Sequence, residues 1–168
     1  MNMHTPRSGP LKPRDLRDVL GHFATGVAVV TTCDANACPI GMTVNSFASV
    51  SLEPAEILWS ISSSSPSRDA FANHRAFAVN VMPEDQKVQA LQFARPSENK
   101  FKGVAWRRGW RSVPVLEAAL ATLECDVKEI IPCGDHEIIV GSVHAIDRRE
   151  GNPLVFFRGQ FATLGAAL

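Results

Sequence analysis

The chain has 168 residues, with 17 Lys and Arg against 17 Asp and Glu, so its formal net charge is zero. That balance excludes the basic surplus of a nucleic-acid binder and the Lys/Arg runs of a protein that sits on anionic lipid. Apolar residues at 45% and charged residues at 20% are those of a soluble globular protein with one core, and no apolar run nears the roughly 20 residues of a membrane span.

Met1–Pro13 is polar and proline-bearing and lacks the apolar stretch of a signal peptide. It reads as a flexible tail, followed by one domain over residues 14–168. Leu16, Val19, Leu20 and Phe23 lie at helical spacing, which predicts a helix over Arg14–Phe23. Gly26–Thr32 is apolar and β-branched, a strand, and Asp34-Ala35-Asn36-Ala37 is a turn. Ile40, Met42 and Val44 alternate with Gly41, Thr43 and Asn45, giving a strand with one apolar and one polar face. Glu56–Ser62 alternates as well, with Ile57, Trp59 and Ile61 on one side and Leu58, Ser60 and Ser62 on the other. Ser65 as N-cap and Pro66 at the first helical position predict a helix that runs to about His74. Phe77, Val79 and Val81 form a strand, and Glu84–Ala94 is helical. Ala121–Ile131 and Glu137–Asp147 are long strands around a turn at Pro132–Asp135, and Leu154–Phe157 is a short final strand. Many strands with few, short helices predict a mainly β fold, a barrel with peripheral helices. Strands do not alternate regularly with helices, which argues against a doubly wound parallel sheet.

The cysteines are Cys33, Cys38, Cys125 and Cys133. Their spacing fits neither a zinc knuckle nor a CxxC pair, so they read as small, half-buried strand residues of a cytoplasmic protein. No GxGxxG, Walker A, HExxH or GxSxG motif is present, so no Rossmann, P-loop or hydrolase site is signalled.

Three segments carry candidate chemistry. Ser62–Arg68 gathers hydroxyls, helix-start amides and one guanidinium, the makings of a phosphate site, and equally of a polar loop with a helix cap. Met42–Ser51, reading MTVNSFASVS, offers Thr43, Asn45, Ser46 and Ser49 for hydrogen bonds beside an apolar wall, as a flavin ring requires. An amphipathic strand wetted on its polar side reads the same way. Gly134-Asp135-His136-Glu137-Ile138 is a turn entering a strand, where His136 is either a nicotinamide contact or a surface histidine. His22, His74 and His144 have no second metal-type ligand at a productive spacing. Lys100-Phe101 suits a phosphate and a ring, or a solvated loop. Phe156-Phe157-Arg158-Gly159-Gln160-Phe161 puts a cation among aromatics at a tight turn.

Taken in order, FATGVAVVTT, MTVNSFASVSLEP, SSPSRDAF, FAVNV, NKF, GDHEI and PLVFFRGQF resemble the flavin reductase family of FMN-binding split barrels, the reductase partners of two-component flavin monooxygenases. The resemblance runs from about Leu16 to Leu164. It implies a homodimeric, Greek-key antiparallel split β-barrel with flavin near the dimer interface. By position, Thr43, Val44, Asn45, Ser46 and Ser49 would line the isoalloxazine and ribityl chain. Ser60, Ser62, Ser67 and Arg68 would hold the phosphate region, with Lys100 and Phe101 nearby. His136, as the catalytic contact, and Phe157-Arg158-Gly159 would meet the nicotinamide nucleotide. Such enzymes often carry tyrosine where this chain has Phe156 and Phe161, and Cys133 before the GDH turn has no expected role. The implied activity is reduction of FMN or FAD by NADH or NADPH, with diffusible reduced flavin passed to a partner monooxygenase. A non-catalytic flavin-binding electron carrier and a pyridoxamine-phosphate oxidase-like enzyme are the rival readings.

Overall fold

The structure, a computed structural model, describes residues 9–166. Residues 1–8 of the expected tail lie outside that range. In chain order come α1 (Pro13–Leu20), β1 (Thr25–Gly26), β2 (Ala28–Cys33), β3 (Pro39–Val44), β4 (Ala48–Leu52), β5 (Ala55–Ser62), α2 (Arg68–His74) and β6 (Ala76–Val81). A 3-10 turn (Glu84–Gln86) leads into α3 (Lys87–Ala94), followed by β7 (Trp106–Arg108), a second 3-10 turn (Trp110–Ser112) and β8 (Pro114–Leu116). The chain ends with β9 (Ala121–Cys133), β10 (His136–Arg148), β11 (Val155–Phe157) and β12 (Gln160–Ala162). No helix among the described residues is long and apolar enough to cross a membrane.

Seven strands pair antiparallel in the order β3-β2-β6-β9-β10-β5-β4. The two edge strands, β3 and β4, are consecutive in sequence and only residues 45–47 join them. Laid flat, seven strands would put those edges about 29 Å apart at ~4.8 Å per strand. Four Cα steps span at most about 14 Å. The sheet therefore has to roll until its edges meet, and it forms the expected mainly β split barrel. The edges are not laddered to each other. Ser46 ties their connection to β5: its hydroxyl accepts from the Ser60 amide at 3.0 Å and donates to the Ser60 carbonyl at 3.3 Å. Phe47, next in the connection, packs on the barrel core.

Two cores follow from one strand. Every residue of β2 is buried. Ala28 and Val30 face the barrel interior with Trp59, Phe71 and Phe77. Val27, before the strand, and Val29 face an outer core with Met82, Phe93, Phe101, Leu116 and Leu154. Burial on both sides is why Gly26–Thr32 reads as a continuous apolar run. Buried polar side chains pin the layers together. Asn80 donates to the Val29 carbonyl at 2.9 Å and accepts from the Leu116 amide at 2.8 Å, and Thr32 donates to the Ala76 carbonyl at 2.8 Å.

Several elements depart from expectation. The predicted helix over 14–23 stops at Leu20, where Gly21 caps it, and buries none of its residues. The helix expected from Ser65 begins at Arg68, because Ser62–Ser65 closes its own turn and the Ser65 carbonyl accepts from the Arg68 amide at 3.1 Å. The helix expected over 84–94 breaks at Gln86, whose φ of −101° and ψ of 27° are not helical. Strands β4, β7, β8 and β12 were not expected as strands. Of the four cysteines, all free, Cys33 and Cys125 are buried and Cys38 and Cys133 are exposed. Burial pushes the Cys125 thiol up to about 12.

Two substitutions test this packing. A Cβ at Gly141 would run into the Phe77 ring and stand 3.2 Å from the Cys125 Cβ. Gly141→Ala is expected to cost about 1–3 kcal/mol by overpacking, read from denaturant midpoints. Ser46→Ala leaves the Ser60 amide without its acceptor and is expected to cost about 1 kcal/mol. Equal midpoints for that variant and the parent would remove Ser46 from the closure.

Candidate functional site

Where the rolled edges meet, the split opens into a groove of about 470 Å³. One wall is the end of β3 and its exit, Met42 to Ser46; the other is Ser60, Ser62, Ile138, Cys133 and His136. Strand register assembles the second wall. Ser60 stands opposite Ile138 and Ser62 opposite His136, while His136 also faces Cys133 across the Gly134-Asp135 turn. Ser60 and Ser62 lie on the same side of β5 because Trp59 and Ile61 occupy the other, in the barrel core.

The polar groups of this groove are few and available. Among the described residues, the amides of Asn45, Ser46 and Phe47 donate to no acceptor, and the Asn45 carboxamide has no partner. His136 Nδ1 lies 2.7 Å from Asp135 Oδ1. An ionised carboxylate only accepts, so Nδ1 carries the proton and Nε2 is left for a ligand. That hydrogen bond holds the Asp135 carboxyl below the usual carboxylate range.

Two smaller hollows adjoin the same strand. One, about 180 Å³, lies against Thr43, Val44 and Asn45 and is walled by Val27, Ala94, Phe156 and Phe161. The Phe156 and Phe161 rings meet edge to face at 5.5 Å. The other, about 70 Å³, brings Ser67 and Lys100 together beside Gly41.

The expected site residues are thus divided. Val44, Asn45, Ser46, Ser60, Ser62 and His136 line the groove. Thr43 lines it too, but its hydroxyl donates to the Ala90 carbonyl of α3 at 2.6 Å, so it does not share a free polar face with Asn45. Ser49 is exposed on edge strand β4, outside the groove lining. Amides of the Ser62–Arg68 turn are engaged by the protein itself: Ser63 donates to the Asp135 carbonyl at 3.0 Å, Ser65 to the Ser62 carbonyl at 2.9 Å, and Ser67 to Ser65 Oγ at 3.3 Å. Arg68 is not a free cation. Its Nε and Nη2 fork onto Glu137 at 2.8–3.1 Å and its Nη1 binds Asp69 at 2.8 Å. The Glu137 and Asp69 hydrogen bonds hold its guanidinium more firmly protonated than usual. Lys100 Nζ donates to the Phe93 carbonyl at 2.9 Å and the Gly41 carbonyl at 3.2 Å, and burial lowers its affinity for the proton. One of its three protons remains for the hollow it shares with Ser67. Phe101 is buried between Phe93 and Trp106 and covers no ring site. Phe157-Arg158-Gly159 forms the β11–β12 turn with φ of 49° at Arg158 and 78° at Gly159. It packs on the end of α1, where the Arg158 amide donates to the Gly21 carbonyl at 2.7 Å and Phe157 meets His22 edge-on.

Sequence reading missed Cys133, Ile138 and the Arg68–Glu137 pair. Ile138 was within reach, two residues past His136 and so on its face. The other two depend on which strand lies beside which. The arrangement as a whole can hold a flat, partly polar ring between an amide-lined loop and a serine- and histidine-bearing wall.

The chain matches the flavin reductase-like domain family over residues 20–165. It is 40% identical over 152 residues to the reductase component of the flavin-dependent trigonelline monooxygenase of Acinetobacter baylyi, covering 90% of this chain and 49% of that one. It is 42% identical over 160 residues to the FMN reductase (NADH) SmoA of Agrobacterium fabrum, covering 95% and 91%. The chain thus spans about half the length of some curated relatives it matches. Among solved structures, the NADH:FAD oxidoreductase SgcE6 of Streptomyces globisporus, in complex with NAD and FAD fragments, aligns with a TM-score of 0.86. That structure is 34% identical, with 94% of this chain and 98% of the other covered. Match, identity and shared barrel agree, and the chain belongs to the flavin reductase-like family.

Proposed function

We propose that this chain is an NAD(P)H:flavin oxidoreductase that binds FMN or FAD in the groove between β3 and β5/β10, reduces it, and releases it to a partner flavin-dependent monooxygenase. The observation that carries this reading is the groove itself, with free amides at Asn45 and Ser46 on one wall and His136 on the other. The residues fit a flavin. A volume of 470 Å³ is that of a small-molecule cleft, and consecutive free amides beside the Asn45 carboxamide match the donor and acceptor edge of its pyrimidine ring. Ile138 and Met42 supply the apolar wall.

The bound cofactors supply hydride transfer from nicotinamide C4 to flavin N5. The protein orients the two rings, which accords with a groove whose lining holds no carboxylate. In this reading Ser60 and Ser62 carry the ribityl chain, and the hollow at Ser67 and Lys100 takes the phosphate. Arg68 acts there only as the brace between α2 and β10. His136 presents Nε2 to the nicotinamide nucleotide. Half-open walls suit a flavin that leaves after reduction. The relatives named as an FMN reductase and a monooxygenase reductase component support the same chemistry. The chain works as a homodimer in the cytoplasm in this reading. Leu16, Val19 and Leu20 leave one face of α1 apolar and exposed, Phe23 just beyond the helix is exposed too, and Leu52 on edge strand β4 is 93% exposed.

Steady-state oxidation of NADH and NADPH with FMN, FAD and riboflavin in turn checks the activity. Turnover is expected to require added flavin; flavin binding without such turnover would make the chain a carrier. His136→Ala is expected to raise the KM for the nicotinamide nucleotide about tenfold while changing the flavin Kd less than about twofold. An unchanged KM removes His136 from the site.

A further inference from the structure

A second cavity, of about 230 Å³, shares no residue with the groove. It lies between the β7–β8 hairpin, the turn at residues 117–120, and the ends of β9 and β10 that meet where Thr122 pairs with Asp147. Val115, Leu116 and Leu120 give it an apolar floor.

Two groups in its wall lack the partners their chemistry calls for. Thr122 is 7% exposed, and its hydroxyl has no hydrogen-bond partner among the described residues. A buried hydroxyl without a partner is an uncommon and costly feature. Arg149 is held by the chain itself. Its Nε donates to the Ala119 carbonyl at 2.9 Å, its Nη2 donates to the Ala118 carbonyl, and its own amide donates to the Leu120 carbonyl at 2.9 Å. No carboxylate among the described residues pairs with it, and three of its five N–H donors remain.

Of the other charges that line it, Arg107 is the one held in an ion pair among the described residues, with Glu124 at 3.0 Å, while Asp147 Oδ1 accepts from the Arg148 amide at 2.8 Å and has no cation partner. Arg148 and the exposed Glu117 stand at the rim.

We propose that this cavity binds a small monocarboxylic acid with an apolar body, the carboxylate on Arg149 and Thr122 and the body on the floor. A guanidinium fixed by two carbonyls is ordered before the ligand arrives, so binding costs little further side-chain order. Its fork matches a carboxylate, and the Thr122 hydroxyl donates to one of the same oxygens. The volume, below that of drug-sized clefts, suits a ligand on the order of ten heavy atoms. The site is separate from the flavin groove and does not depend on the function proposed for it.

Benzoate is the probe, titrated into the intact chain by calorimetry and by amide NMR, with benzamide as the neutral isostere. Benzoate is expected to bind one per chain, to shift amides in residues 115–122 and 147–149, and to bind about tenfold more tightly than benzamide. Thr122→Val keeps shape and removes the hydroxyl, and is expected to weaken benzoate about five- to tenfold with flavin-dependent turnover unchanged. Absence of saturation through the millimolar range overturns the proposal. So do shifts confined to Met42–Ser46, equal affinity for benzamide, or undiminished affinity in a folded Thr122→Val variant.

Discussion

Three residues between the two edges of a seven-stranded sheet set the rest of this structure. The 45–47 connection is too short for any flat arrangement of β3 and β4, so the sheet rolls. The rolled edges are not laddered to each other, so the barrel stays split. A split barrel has unpaired backbone at its seam, which in water invites a ligand or another chain. The amides of Asn45–Phe47 are left free there because the connection must turn rather than pair. The groove is thus a consequence of the topology. Ser46 and Phe47 fix its width, one through a hydrogen-bonded tie to β5 and the other by anchoring in the barrel core.

Charge is used on this scaffold mostly as a brace. Arg68 couples α2 to β10 through Glu137, and Arg107 couples β7 to β9 through the buried Glu124. Lys100 ties α3 to β3 through two carbonyls rather than a carboxylate. Gly41 belongs to the same joint, since a Cβ there would meet the Phe93 ring at 2.7 Å. Close approach of α3 therefore requires glycine in β3. A single ammonium anchored on one side by carbonyls keeps a proton for the other side, where Ser67 waits. Structural and ligand-facing roles of Lys100 are compatible for that reason, whereas the doubly paired Arg68 has no such spare capacity.

Alternation made β5 legible, because one side of it is a core, and burial on both sides made β2 legible as a continuous apolar run. Ile57, Trp59 and Ile61 announce β5, and the same rhythm puts Ser60 and Ser62 together on the outer side. β4 escaped notice because an exposed edge strand has no buried face to impose a pattern: Ala48, Ser49, Val50 and Leu52 are all exposed. β7 and β8 are three residues each, too short for a period. The Met42–Ser46 wall and His136 were visible as residues, and their meeting across the split was not, since β3 and β10 lie far apart in sheet order. Arg68 misled for a related reason. Nothing in SSPSRDAF reveals Glu137, 69 residues later, which removes the arginine from solution chemistry.

The two aromatic positions near the C-terminus show how a local change acts through this geometry. In β11 and β12, Phe156 and Phe161 are cross-strand partners, and their shared side forms the apolar hollow behind Thr43–Asn45. Phe157 and Arg158 belong to the opposite direction, toward α1. Alternation along a three-residue strand is enough to send neighbours to different places. With phenylalanine at both positions, neither ring brings a hydroxyl to the hollow, and the Thr43 hydroxyl beside it is spent on the Ala90 carbonyl. Among the described residues, Asn45 is the one with an unpartnered polar side chain that lines both cavities, so the groove and the hollow meet at its carboxamide.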